Sequence, residues 1–289
     1  MYCRVMKYIG IDVGATFTKA GLVHDGEIIF KTRVPTTSRG EKEFFELVFS
    51  VIETVLESTK TELSQIGGIG VGIPGLVNTD KGLILGATSK LGLEGVVDIV
   101  KRVQSKYKMP VKIGNDVSMF ALAEARKSKT DNLVYIAIGT SFNVGVINNG
   151  KLFSGASGLS LEYGHNFIEN GLKVEGVISG KAIIAHAKEL GIVVDRPDEA
   201  FAKSKEIRDR ALNYLLIVLL NLINTYRPQS ICIGGGYAVL IAPHIADLKR
   251  QLKEKSYGYK NAPAVDLYVS DIATDGGILG AAELFVLRS

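Results

Sequence analysis

Cysteine is scarce: Cys3 and Cys232 are the only two in 289 residues. Two thiols cannot make a disulfide framework or a zinc site of four cysteines. Long apolar runs are missing too. The longest, Leu215 to Ile223, has nine residues and is broken by Asn221, whereas a membrane span needs about 20. Met1 to Lys7 carries no long apolar segment and no small-residue cleavage site, so no secretory signal is expected. Runs of lysine or arginine are absent as well. With 34 basic and 30 acidic residues the formal net charge is +4, which suits a small anionic ligand better than nucleic acid. No linker or low-complexity tract divides the chain. These absences lead us to expect a soluble cytoplasmic protein with neither a membrane nor a nucleic-acid partner.

Apolar residues make up 46% of the chain, ample for a core. The length fits about two domains, or one large one. Glycine is in excess, at 32 residues of 289 against a usual ~7%. Such an excess serves either flexibility or turns where backbone must approach a ligand closely.

Strands are expected over Tyr8 to Val13, Lys19 to Val23 and Glu27 to Thr32, with a hairpin turn at Asp25-Gly26. Phe44, Leu47, Val48, Val51, Ile52, Val55 and Leu56 have helical spacing, so Glu41 to Lys60 reads as a helix with one buried face. A strand over Ile69 to Ile73 ends in Pro74-Gly75. A helix over Gly95 to Tyr107, a strand over Val111 to Ile113 and a helix over Val117 to Lys127 follow. The pattern then restarts with strands over Leu133 to Ile138 and Val144 to Ile147 and a turn at Asn149-Gly150. Sliding the chain by 124 positions places Thr16 on Thr140, Gly21 on Gly145 and Gly26 on Gly150. An internal duplication is the economical reading, and two like halves imply two α/β lobes with a cleft between them. Beyond it, Gly171 to Leu190 contains a helix, Arg210 to Tyr226 is an apolar helix, Ser230 to Ile233 is a strand, and Asp275 to Leu287 is a small-residue helix.

Several positions can carry chemistry. Asp12-Val13-Gly14-Ala15-Thr16 lies on a turn between apolar strands. It is either an ordinary polar hairpin or an anion site, in which small residues open backbone N–H groups, Thr16 donates, and Asp12 holds Mg²⁺ directly or through water. Gly139-Thr140 is its counterpart in the second half. Asp116, between a strand and a helix, is either a helix cap or a general base for a substrate hydroxyl. Glu162 and His165 stand three apart in a glycine- and serine-rich region and can converge on a polyol; a capping or core role is the plainer reading of His165. Glu175 alone fits a solvated helix position equally well. Gly234-Gly235-Gly236 follows an apolar strand and leaves room for a flat ring such as adenine, or makes a tight loop.

Asp12 to Thr16, Gly139-Thr140 and Gly234 to Gly236, in that order, resemble the nucleotide-binding set of the actin, sugar-kinase and heat-shock-chaperone superfamily. Within it, the strings Gly70-Val71-Gly72-Ile73-Pro74-Gly75, Asn115-Asp116, Glu162-Tyr163-Gly164-His165 and Thr274 to Ala282 resemble the ROK family (repressors, open reading frames, kinases). The resemblance implies an α/β, two-lobed actin/hexokinase-like (ribonuclease H-like) fold with duplicated βββαβα halves and a central cleft. It divides the chain into a small lobe, 1–116 plus 274–289, and a large lobe, 117–273. It further implies an ATP-dependent sugar kinase using Mg²⁺ and working as a homodimer. Asp116 is then the catalytic base. Gly72, Gly75, Asn115, Glu162, His165 and Glu175 face the sugar. Gly14, Thr16, Gly139 and Thr140 face phosphates, and Gly234, Gly235 and Gly236 the adenosine.

The sequence departs from the family pattern in places. Asn166 to Val174 lacks the family's zinc-binding cysteines, so no zinc is expected and other packing must position His165. The second phosphate turn, Gly139-Thr140-Ser141-Phe142-Asn143, is poor in glycine. Thr88-Ser89-Lys90-Leu91 stands where the family has Pro-Asn-Leu, and Lys90 there points to an N-acetylated hexosamine, N-acetylmannosamine favoured, with a plain hexose as the alternative. The 6-hydroxyl is the expected acceptor. Two rivals come from other classes. A sugar-sensing repressor needs a helix-turn-helix, and only about ten residues precede the first turn. An actin-like ATPase activates water and does not need Asn115-Asp116 with Glu162 and His165.

Overall fold

The computed structural model describes residues 6–38, 40–86, 91–257, 264–272 and 274–286. In chain order the strands are β1 (Lys7–Val13), β2 (Phe17–His24), β3 (Glu27–Pro35), β4 (Ile66–Ile73), β5 (Leu76–Asn78), β6 (Leu83–Leu85), β7 (Val96–Asp98), β8 (Val111–Asn115), β9 (Leu133–Ile138), β10 (Phe142–Asn148), β11 (Lys151–Leu152), β12 (Phe167–Glu169), β13 (Leu172–Lys173), β14 (Ser230–Gly234) and β15 (Asp266–Val269). The helices are α1 (Glu41–Thr59), α2 (Ile99–Tyr107), α3 (Asp116–Ser128), α4 (Glu175–Ile178), α5 (Gly180–Glu189), α6 (Pro197–Lys203), α7 (Lys205–Tyr226), α8 (Ala238–Ile241), α9 (Ile245–Lys255) and α10 (Gly276–Glu283). Contacts divide the chain into two compact units. Among the described residues no helix is long and apolar enough to cross a membrane.

Unit 1 comprises Met1–Lys129, Gly150–Leu161 and Thr274–Ser289. Its main sheet has the order β3-β2-β1-β4-β8. The chain first runs back and forth through β1, β2 and β3 and then adds β4 and β8 in parallel. The central strands read KYIGIDV and IGGIGVGI and are almost wholly buried, as a sheet covered on both faces requires. At the edge, β3 alternates exposed and half-buried residues. Ile9 and Ile11 belong to a core that includes Phe44, Val48, Ile52 and Val55 of α1. The opposite face carries α10, and glycine is what admits it. A Cβ at Gly10 would overlap the carbonyl of Ile278, and one at Gly70 the carbonyl of Ala281. The turn at Asp25-Gly26 has both residues at positive φ, 52° and 77°, the geometry of a two-residue hairpin.

The region 95–107 departs from expectation. The helix starts only at Ile99, because Asp98 accepts a hydrogen bond from Lys101 N at 2.8 Å and caps it. Val96 to Asp98 instead form β7 of a small sheet, order β5-β6-β7. Three residues per strand are too few for an alternation to show in the sequence.

Unit 2 comprises Thr130–Asn149 and Glu162–Ala273. Its strands β10, β9, β14 and β15 neighbour one another in that order, with β9, β14 and β15 parallel and β10 antiparallel to β9. This matches the order β2-β1-β4-β8 of unit 1, so the duplication read in the sequence is real. The repeat is gapless only from the second strand on. Four residues separate the paired Val13 and Thr18, and three separate the paired Ile138 and Phe142. The second turn is therefore one residue shorter, which brings Gly139 into register with Gly14. Helix α7 begins earlier than the apolar pattern suggests, because Ser204 caps it through Ile207 N at 3.3 Å.

Candidate active site

In unit 1, the turn after β1 is pinned from three sides. Gly14 N donates to Phe17 O at 3.0 Å, and Thr36 N donates to Thr16 O at 2.9 Å. Thr36 Oγ1 donates to Gly14 O at 2.8 Å. Ala15 and Thr16 are left exposed. Asp12 is only 7% exposed and carries the Lys19 ammonium 3.3 Å from Oδ2. Burial pushes the Asp12 carboxyl above the usual carboxylate range, against the pull of Lys19. The start of α10 lies against it, since a Cβ at Gly277 would overlap the Asp12 carboxylate. Asp12, Gly14, Ala15, Thr16, Lys19 and Asp275 share a cavity of about 610 Å³. A single buried carboxylate fits a cation such as Mg²⁺ that brings its own waters and phosphate ligands, and does not amount to an all-protein cage.

The strand-to-helix junction at Asn115-Asp116 is sharply defined. Asn115 is the N-cap of α3, with Oδ1 accepting from Val117 N at 3.0 Å and Nδ2 donating to Gly75 O at 3.0 Å. Its two hydrogen bonds join the end of β8 to the turn after β4. Asp116 is the first helical residue, half-buried, and its Oδ1 also accepts from Val117 N, at 2.9 Å. The capping role weighed for Asp116 thus falls chiefly to Asn115. Gly75 has φ +104°, a conformation that favours glycine. Gly72 is buried under Met119 of α3. Lys90 lies outside the described residues.

In unit 2, Gly139 N donates to Ser141 O at 2.9 Å, and Gly139 O accepts from Gly180 N at 2.8 Å. The glycines that end β14 and follow it sit beside this turn. Gly235, at φ +88°, abuts Ile138, and Gly234 lies under the Tyr135 hydroxyl. Gly236 has open space where a Cβ would stand. Glu162, His165 and Glu175 are brought together. Asn143 Oδ1 accepts from Tyr163 N at 3.0 Å, and Asn143 Nδ2 lies 3.5 Å from Glu162 Oε2. Glu175 Oε2 accepts from Phe142 N at 3.3 Å. Burial pushes the Glu162 carboxyl up; His165 opposes that shift and Glu175 adds to it. His165 and Glu175 line a second cavity, of about 490 Å³, with Lys173 and Lys181. Two contributors escaped the sequence reading. Asn143, read only as the end of the second phosphate turn, anchors the Glu162–Tyr163 turn, and Lys19, which lies in no motif, sits on Asp12.

The stretch between His165 and Glu175 is a hairpin of β12 and β13, turned at Asn170-Gly171 with φ 45° and 78°. Val174 N donates to Asn166 O at 2.9 Å, and Tyr214 Oη donates to Glu169 Oε2 at 3.0 Å. Lys173 Nζ lies 3.4 Å from His165 Nδ1. Backbone pairing thus fixes this segment, a pattern too short to read from sequence.

Two sheets of one strand order, each with a glycine turn after its first strand, define the actin/hexokinase-like class. The ROK hexokinase of Thermus thermophilus superposes with a TM-score of 0.76, at 25% identity, over 96% of this chain and 97% of that one. A ROK family glucokinase from Streptomyces griseus, solved with glucose and AMPPNP, shares the fold at a TM-score of 0.72 and 21% identity, over 96% and 98% of the two chains. The chain belongs to the ROK family, whose profile it matches over residues 8–287. It is 28% identical to the glucokinase of Thermotoga maritima over 98% of both chains. It is 27% identical to the N-acetyl-D-glucosamine kinase of Aliivibrio salmonicida over 96% of this chain and 99% of that one. The xylose repressor of Bacillus subtilis is 27% identical over 96% of this chain and 76% of its own length.

Proposed function

We propose that this chain, an ATP-dependent sugar kinase of the ROK family, phosphorylates the 6-hydroxyl of an N-acetylated hexosamine, N-acetylmannosamine foremost. The observation that carries the kinase reading is the Asn115-Asp116 junction. A carboxylate held at a helix N-terminus by its own backbone, beside an asparagine tied to the Gly75 loop, is a fixed acceptor for a substrate proton. Asp116 takes the proton of the sugar hydroxyl as that oxygen attacks the γ-phosphorus and ADP leaves. Asn115, Gly72, Gly75, Glu162, His165 and Glu175 bind the sugar, and Lys90 is assigned to its acetamido side. Gly14, Thr16, Gly139 and Thr140 bind phosphates, and Gly234 to Gly236 take the adenosine. Asp12 would hold Mg²⁺, directly or through water, where the ion would supply neutralisation of phosphate charge. Most of the acceleration comes from positioning and charge neutralisation, with the base adding about 10²–10⁴-fold.

The acetylated substrate rests on the lysine at position 90 of the sequence, where the family pattern has asparagine, and on the kinship to an N-acetyl-D-glucosamine kinase. A coupled assay of ADP release with N-acetylmannosamine, N-acetylglucosamine, glucose and mannose tests it. The highest kcat/KM is expected for an acetylated sugar. Preference for glucose makes the chain a glucokinase, and turnover without any sugar points to an ATPase. We place the enzyme in the cytoplasm as a homodimer; light scattering on the purified chain checks the dimer.

A further inference from the structure

His165 has two ring nitrogens, and one of them is already engaged. Nδ1 lies 3.4 Å from Lys173 Nζ, and among the described residues the ring has no other hydrogen-bond partner. Lys173 in turn makes no ion pair among the described residues, although Glu175 stands two positions further on and lines the same cavity. The β12–β13 hairpin brings the lysine there. Phe167 and Lys173 pair across the two strands, and the ammonium lies 6.0 Å from the centroid of the Phe167 ring, at the outer edge of a cation–π contact. Val174 N is bonded to Asn166 O, and Tyr214 holds Glu169. Strand register, rather than a loose loop, thus sets where the ammonium stands.

The chemistry of the pair is one-sided. An ammonium has three N–H donors and no acceptor. Nδ1 can meet it only as an acceptor, and the ring proton then sits on Nε2. In the other tautomer an Nδ1–H would face an N–H, with nothing to accept either. A backbone carbonyl or a carboxylate at Nδ1, the common arrangement, has the opposite effect: it holds the proton on Nδ1 and leaves Nε2 as an acceptor. Lys173 instead leaves His165 with an Nε2–H donor. The carboxylates of Glu162 and Glu175 supply acceptors nearby, and a sugar hydroxyl can donate to a carboxylate while accepting from the imidazole.

We propose that Lys173 is the positioning residue of His165: it fixes the ring proton on Nε2, so that His165 gives the sugar a hydrogen bond rather than taking one. The assignment rests on the kinase reading above and adds to it a residue that acts through the imidazole.

Two-bond ¹H–¹⁵N spectra of the full chain, labelled in its four histidines, read which ring nitrogen carries the proton; His165→Asn identifies the signals. Lys173 is exposed, so its variants are expected to fold. The wild type should show His165 unprotonated at Nδ1 and protonated at Nε2. In Lys173→Met this single form should give way to a mixture, and in Lys173→Arg, whose guanidinium also only donates, it should return. ADP release with N-acetylmannosamine and with glucose supplies the second readout. Losing one hydrogen bond is worth about two- to tenfold, expected in Lys173→Met as a raised sugar KM that exceeds any fall in kcat, with the ATP KM unmoved and the sugar KM recovered in Lys173→Arg. A wild-type ring protonated at Nδ1, or the same ring form in the wild type and Lys173→Met, overturns the assignment and leaves the kinase reading standing. So does a sugar KM unmoved by the methionine. A wild-type chain that releases no ADP with any sugar overturns the kinase reading and with it the role toward the sugar, even where the spectra show the lysine's hold on the ring.

Discussion

At the scale of single residues, the two carboxylates Asp12 and Asp116 are held differently, and so are their expected defects. Asp116 is half-buried at the start of α3, with Asn115 doing the capping. Asp116→Ala should therefore fold normally and bind ATP, while kcat falls by about 10²–10⁴-fold; a near-normal kcat in the ADP assay would refute the base. The three glycines at the end of β14 and just beyond it also separate. Gly235 has φ +88° and Gly234 lies under Tyr135, whereas Gly236 has open space at its Cβ and no positive φ. Gly236→Ala should keep the wild-type Tm and weaken only adenosine and ATP binding. Unchanged nucleotide affinity would place the adenosine elsewhere.

At the scale of elements, α10 is the piece with the narrowest tolerance. Its backbone lies on strand backbone at Gly10 and Gly70, so Gly70→Ala must push the helix away from the sheet. Overpacking of this kind costs about 1–3 kcal/mol or more, read as a lowered Tm and denaturation midpoint. Further along α10, Glu283 is 3% exposed, with Arg126 of α3 3.7 Å away. Burial pushes its carboxyl above the usual range; Arg126 opposes the shift, and Asp25 adds to it. A raised acid favours the folded state fully below its unfolded pKa, and that contribution is lost as pH rises through the folded value. Glu283→Gln should accordingly raise Tm at pH 8 and change it little near pH 4; a Tm difference that grows toward acid pH would contradict this. Much of the frame was legible because long elements leave long patterns. The α1 face from Phe44 to Val55 and the turns at Asp25-Gly26 and Asn149-Gly150 are written in period and in turn chemistry. Strands β5 to β7 and the β12–β13 hairpin were not legible, since elements of two or three residues carry no period. The turn at Asp12 to Thr16 was legible because it joins two strands of clear pattern. Contacts that come from a neighbouring strand or turn were not, as with Lys19 beside Asp12 and Asn143 beside Glu162.

At the scale of the whole molecule, one strand order is used twice with two turns of unequal length. The longer turn, after β1, is pinned by Thr36; the shorter one, after β9, is tied to Gly180 at the start of α5. Substrates that bind the native chain should add to its stability by mass action, by about 2.7 kcal/mol at a hundred times Kd. ATP and the true sugar should each raise Tm, and a sugar that raises Tm without supporting ADP release would identify a ligand rather than a substrate. One feature of unit 1 also bears on how the chain is made. The strand β1 is synthesised early, but its Gly10 is covered by Ile278 of α10, some 270 positions later. Until α10 emerges, that face lacks its cover at Gly10 and Gly70, with Met119 of α3 reaching Gly72, while the residues of unit 2 are already complete. Of the two units, then, unit 1 is the first to be started and the second to be completed. While unit 2 is being made, the nascent chain carries a sheet whose α10 side is only partly covered, the period when chaperones have most to protect.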